Sequence, residues 1–130
     1  MVAIDTNIVV RLLVNDDPLQ TAKVKSLFER DKIFITKTVV LETEWVMRGV
    51  YNLDREAVNK ALRALLSLEQ VIVENEKTVF GALDAHLQGM DFADAIHLLS
   101  SHPATSFATF DTKFKGKANK LLLKPSVITP

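Results

Sequence analysis

Val2-Ala3-Ile4-Asp5-Thr6-Asn7 is the stretch on which the reading of the chain turns. Three apolar residues in a row are consistent with a short buried strand of a parallel sheet. They stop at three side chains that each cap a helix well, and a helical stretch, Ile8 to Val14, follows at once. The same alternation then repeats. Asp17-Pro18 starts a helix, Asp as cap and Pro in the first turn, that runs to about Arg30. Ile33-Phe34-Ile35 reads as a second strand, after which Thr36 or Thr38 caps a helix through Tyr51. Asn52-Leu53-Asp54 punctuates, and Arg55 to Leu68 is amphipathic with Val58, Leu62, Leu65 and Leu66 on one side. Val71-Ile72-Val73 is a third strand, and Lys77 to Leu87 a helix closed by Gly89. Asp91 caps a helix through about Ser101, with Pro103 beyond it. Ser106 to Phe110 is a fourth strand ending at Asp111, and Ser126-Val127-Ile128 a fifth. Short apolar strands alternating with helices give an α/β fold with a mostly parallel sheet. Ligands of such sheets sit beyond the carboxyl ends of the strands, where Asp5 and Asp111 are expected.

Composition narrows the function classes. The chain has 130 residues, no repeat and no linker-like tract, so one domain spanning residues 1–130 is expected. With 16 basic and 16 acidic residues the formal charge is zero, so nucleic acid can be bound only through a local basic patch. The absence of cysteine excludes disulfides, thiolate metal sites and cysteine nucleophiles. No apolar run reaches the roughly 20 residues of a membrane helix, and no basic segment precedes an apolar stretch at the N-terminus. A cytoplasmic protein is expected.

The acidic residues carry the chemistry. Asp5 fits a helix cap, although Thr6 and Asn7 fill that role equally well. Glu44 has Arg48 four residues on, the favourable order for a surface pair. Glu42 has no basic residue at helical spacing, and either reaches solvent at a helix edge or needs a cation beside it. In Asp91-Phe92-Ala93-Asp94-Ala95, Asp91 suits a cap, and Asp94 lies in the first turn among apolar neighbours. Asp111 follows a strand, with Thr109 and Thr112 placed to orient its oxygens. Carboxylates gathered in one site repel each other, and a hard divalent cation removes that penalty. Oxygen-only ligands suit Mg²⁺ or Mn²⁺, and such an ion serves phosphodiester hydrolysis.

The ordered set Ile4-Asp5-Thr6-Asn7, Leu41-Glu42, Asp91-Phe92-Ala93-Asp94-Ala95 and Thr109-Phe110-Asp111 resembles the PIN-domain nucleases, most of all their VapC-like toxin branch. The likeness covers essentially the whole chain. It implies a PIN-like three-layer domain, with a central, mostly parallel five-stranded sheet flanked by helices. It also implies Mg²⁺- or Mn²⁺-dependent cleavage of RNA, a homodimer, and neutralisation by a cognate antitoxin protein. The family's acidic metal ligands fall on Asp5, Glu42, Asp94 and Asp111. Thr6, Asn7, Asp91 and Thr109 match residues around that set.

Arg11, Lys37, Lys113, Lys115 and Lys117 are candidate RNA contacts, the last three in a basic stretch that continues through Lys120 and Lys124. A solvated charged surface is the alternative for them. His86, His97 and His102 have no zinc-motif spacing; His97, three residues past Asp94, is the nearest to the acids. Trp45, Met47 and Tyr51 read as core or dimer contact. Two other functions fit parts of the pattern. A haloacid-dehalogenase-type phosphatase also places an Asp after the first strand, but needs a second Asp where Asn7 stands. A non-catalytic PIN-like module would bind RNA or protein without needing four such acids.

Overall fold

Three strands of two or three residues, β1 (Val2–Ala3), β2 (Ile33–Ile35) and β3 (Val71–Val73), pair in parallel in the order β1-β2-β3. The computed structural model describes all 130 residues and resolves them into two units, Met1–Glu76 and Lys77–Pro130. In the first unit the register sets Val2 against Ile33, and Ile33 and Ile35 against Val71 and Val73. The alternation of a pleated strand puts Ile33, Ile35, Val71 and Val73 in the core. Ile72, between the last two, is exposed. β1 is a residue shorter than the apolar run predicts, yet the ladder continues, because the Ile4 N–H donates to the Phe34 carbonyl at 3.3 Å.

Four helices complete this unit: α1 (Thr6–Val14), α2 (Pro18–Arg30), α3 (Lys37–Gly49) and α4 (Arg55–Leu66). Each starts at a side-chain cap, from Asp5, Asp17, Thr36 and Asp54 respectively. Asp5 wins the first contest, so Thr6 and Asn7 lie inside α1 rather than ahead of it. Asn15 ends α1 in the left-handed conformation that Asn tolerates. The Thr21 hydroxyl donates to the Arg11 carbonyl at 3.0 Å, tying α2 to the end of α1. The core of the unit is Val9, Val10, Val24, Phe28, Val40, Met47, Val58, Leu62, Leu65 and Leu66. Met47 is therefore core as expected, whereas Trp45 is exposed and Tyr51 reaches Asp16 with its hydroxyl at 3.1 Å.

Glu44 departs from the sequence reading. It pairs with Arg48 at 2.8 Å as its spacing predicts, but it is 3% exposed and not on the surface. Val40, Thr43, Glu44 and Met47 form the buried stripe of α3, and Arg48 carries its charge out to solvent.

The second unit holds α5 (Glu76–Leu87), α6 (Phe92–Leu99), β4 (Ser106–Ala108), α7 (Thr112–Lys120) and β5 (Ser126–Ile128). β4 and β5 are parallel, with Phe107 opposite Val127. The fold is α/β, and all five expected strands are present and paired in parallel. They divide into a three-stranded and a two-stranded sheet instead of one continuous five-stranded ladder. Gly89 closes α5 with φ +103°, the left-handed geometry expected there, and the Lys117 ammonium bonds the adjacent Gln88 carbonyl at 3.3 Å. Buried His86 meets Phe92 edge to face, with centroids 5.4 Å apart. α7 has no counterpart in the sequence reading. It is capped by Asp111 and buries only Phe114 and Ala118, one turn apart. No helix is long and apolar enough to cross a membrane.

Ile33 lies on the middle strand of its sheet, with no exposed surface. Ile33→Ala is expected to cost about 2–5 kcal/mol, seen as a lower urea midpoint with an unchanged slope. A midpoint within experimental error of wild type would mean that the first unit does not depend on this strand.

Candidate active site

The first unit positions Asp5, Thr6 and Glu42. Asp5 is held by its role as cap, its Oδ1 accepting from the Ile8 N–H at 3.1 Å, which leaves its second oxygen uncommitted. Thr6, the next residue, is buried, and its hydroxyl donates to Oε1 of Glu42 on α3. Two stretches 36 residues apart in sequence are thereby brought together at the carboxyl end of β1. Glu42 is exposed, so its carboxylate reaches solvent while one oxygen is fixed by Thr6.

Asp5 and Asn7 also line a cleft of about 410 Å³ with Ile8, Arg11, Gln20, Lys23 and Val24. Arg11 is less available than the sequence suggests. Its guanidinium pairs with Asp16 at 2.8 Å and donates to Gln20 at 2.6 Å. Asp16 accordingly raises the Arg11 pKa. The basic group on this cleft that sequence reasoning missed is Lys23, for which no motif or spacing gave a signal. Lys37, in the first turn of α3, has its backbone N–H on Glu74 at 2.8 Å.

The second unit positions the other acids. Asp91 caps α6, its Oδ1 accepting from the Asp94 N–H at 2.9 Å. Asp94 is half-buried in the first turn. Burial pushes its carboxyl above the ordinary aspartate pKa of 3.8; the charges of Asp91 and Asp111 push it further, and His97 pulls partly back. Asp91 and Asp111 are thus each within electrostatic reach of Asp94. Asp111 caps α7 by accepting from the Phe114 N–H at 3.0 Å. Thr109 does not orient the Asp111 carboxylate, the role its position suggested. Its hydroxyl accepts from the Asp111 backbone N–H at 3.0 Å and so fixes the turn from strand to helix.

Of the candidate RNA contacts on α7, Lys115 reaches Thr129 at 3.4 Å and Lys117 reaches Gln88, while Lys113 is exposed. His102 is exposed and borders a separate cavity of about 320 Å³ with Thr105, Lys124 and Ser126. Within neither unit do three acidic or histidine side chains close into a ready-made cation cage. What each unit offers is carboxylate oxygen anchored at the start of a helix, the donor type that hard divalent cations prefer.

The raised Asp94 pKa has a testable sign. A carboxyl that binds its proton more tightly when folded contributes stability below the unfolded pKa, and that contribution is lost as pH rises through the folded value. Asp94→Asn removes the repelled charge. It is expected to melt above wild type at pH 7, with the difference vanishing as pH falls below about 4. A variant that melts lower across this whole range would mean that attraction to the helix N-terminus outweighs the repulsion.

The family model for the PIN domain matches residues 2–120, a span that includes Asp5, Glu42, Asp91, Asp94 and Asp111. No curated protein and no solved structure matches the chain. Parallel βα units with acids at the helix starts, and a family match running from the first strand to the end of α7, place this chain in the PIN-domain family, a nuclease-type fold.

Proposed function

We propose that the chain is a metal-dependent endoribonuclease, the toxin of a toxin–antitoxin pair, acting as one domain in a cytoplasmic homodimer that a cognate antitoxin neutralises. The observation that carries the nuclease reading is the PIN-domain match over residues 2–120, a span that includes Asp5, Glu42, Asp94 and Asp111. Half-buried Asp94, whose charged form is disfavoured by burial and by the charges of Asp91 and Asp111, suits a chain that places a cation there. PIN-domain nucleases typically use divalent metal ions, and the all-oxygen donor set fits Mg²⁺ or Mn²⁺.

In this reading Asp5, Glu42, Asp94 and Asp111 supply the oxygens that hold the ion. When bound, the ion supplies Lewis-acid stabilisation of charge on the phosphate and makes water easier to deprotonate. The side chains do the rest. Thr6 keeps Glu42 in one orientation, so its oxygen need not be ordered at the moment of reaction. Asp91 and Thr109 hold the backbone starts of α6 and α7, from which Asp94 and Asp111 project. A carboxylate oxygen of the set accepts a proton from the attacking water. The water oxygen bonds to phosphorus, the P–O3′ bond breaks, the departing O3′ takes a proton from solvent water, and the products carry a 5′-phosphate and a 3′-hydroxyl. Lys113 and Lys23 are both exposed, which suits contact with backbone phosphates.

Purified protein incubated with mixed RNA and Mn²⁺ or Mg²⁺ is expected to cut it, and EDTA to stop the cutting. Asp5→Asn, Glu42→Gln, Asp94→Asn and Asp111→Asn should each lower the rate on the order of 10³-fold, the loss of several kcal/mol of charge stabilisation. Expression of the wild type should arrest growth, and Asp5→Asn should relieve the arrest. Binding of RNA without cleavage would favour a non-catalytic module, and phosphate release from small phosphomonoesters would favour a phosphatase.

Thr6→Val keeps the shape of the side chain and removes the hydroxyl that holds Glu42. The cleavage rate is expected to fall about 10- to 100-fold, and Thr6→Ser to restore most of it. Full activity in Thr6→Val would mean that Glu42 is oriented by something else.

A further inference from the structure

The turn between β4 and α7 presents an aromatic ring that the fold does not use. Phe110 is 81% exposed, more than any other aromatic residue; Trp45 follows at 58%. Its neighbours explain why the exposure is specific to it. Phe107 on β4 and Phe114 on α7 stack on each other, centroids 5.1 Å apart and rings 10° from parallel, so this segment's packing is complete without Phe110. The backbone on both sides is pinned. The Thr109 N–H donates to the Ile128 carbonyl at 3.0 Å, the Asp111 N–H to the Thr109 hydroxyl, and the Phe114 N–H to the Asp111 carboxylate. The ring therefore stands on a fixed base, and a side chain with two rotatable bonds loses little freedom on binding.

What surrounds the ring indicates its partner. Phe110 directly precedes Asp111, one of the acids assigned to the reacting phosphate. On the other side the chain is cationic: Lys113, Lys115, Lys117, Lys120 and Lys124 follow, with no acidic residue after Asp111. An exposed ring followed along the chain by exposed Lys113 and a lysine-rich helix fits a polyanion that carries flat bases. Single-stranded nucleic acid is bound in this way, its backbone following the charge while a base stacks on the ring. A duplex keeps its bases stacked on one another and offers no face to Phe110.

We propose that Phe110 is a substrate-positioning residue that stacks a base of single-stranded RNA next to the bond to be cut. The proposal rests on the nuclease reading for its location beside the reacting phosphate. It adds a residue outside the acidic set that orients the substrate through a base.

The test compares wild type, Phe110→Ala and Phe110→Tyr. Fluorescence anisotropy in EDTA measures binding of labelled oligoadenylate and of an abasic ribose-phosphate oligomer of equal length. Steady-state cleavage of oligoadenylate in Mn²⁺ gives kcat and KM. Phe110→Ala should weaken oligoadenylate binding and raise KM about tenfold, the order expected from losing one base–aromatic stack, with kcat changed less than about twofold. Phe110→Tyr should stay close to wild type, and abasic binding should be the same in all three. Equal oligoadenylate binding by wild type and Phe110→Ala overturns the proposal. So does an equal loss on the abasic oligomer, or a change in oligomeric state on size exclusion, which would make Phe110 a protein contact. A wild type that cuts RNA with no effect of Phe110→Ala keeps the nuclease reading and removes the stacking. A wild type that binds oligoadenylate through Phe110 but cuts nothing keeps the stacking and removes the nuclease.

Discussion

An aspartate that caps a helix commits one carboxylate oxygen to a backbone N–H and keeps the other. Asp5, Asp91 and Asp111 are all in this position, at the starts of α1, α6 and α7. The cap fixes the side chain relative to the backbone. Acids fixed at helix starts can be set close to one another without a shell of basic partners. Asp94 shows the cost of such crowding, since its charged form is disfavoured by burial and by two neighbouring carboxylates. One device thus begins the helices and, in the proposed nuclease, also presents the acids, which is why each of these three taken singly resembles an ordinary cap.

The basic residues are organised differently. Arg11 and Arg48 are tied to carboxylates, and Lys117 to a backbone carbonyl. A protein of zero net charge can still offer a polyanion local positive charge when some of its lysines are left to solvent. Lys113 and Lys23 are such residues, one following Asp111 and the other on the cleft beside Asp5.

Much of this was legible in the sequence. Apolar triplets gave the strands, and Asp-Pro, Thr and Asp gave the helix starts, because caps and strand periodicity are local. Asp5, Asp91, Asp94 and Asp111 were found because each follows a strand or opens a helix, and Glu42 because no basic residue lies at helical spacing from it. Other features were hidden because they depend on which way a helix turns. The Glu44–Arg48 spacing correctly predicts the pair but not the face it lies on. The burial of Val40, Thr43 and Met47 decides that, and carries Glu44 inward with them. Glu42, off that stripe, is the one that meets Thr6, a contact across 36 residues that no local pattern encodes. α7 escaped notice because its apolar signal is only Phe114 and Ala118 among lysines. The exposure of Phe110 follows from Phe107 and Phe114 pairing with each other, a choice made by packing.

Parallel pairing throughout has a consequence for how the chain reaches this state. There is no hairpin. Val2 meets Ile33 and Ile33 meets Val71 only after intervals of about thirty to forty residues are closed, and Ser106 meets Ser126 across about twenty. With strands this short, each bridge returns few hydrogen bonds for the loop entropy it removes. The short ladders therefore hold together only where the capped helices packed on them already bring the distant strands into register.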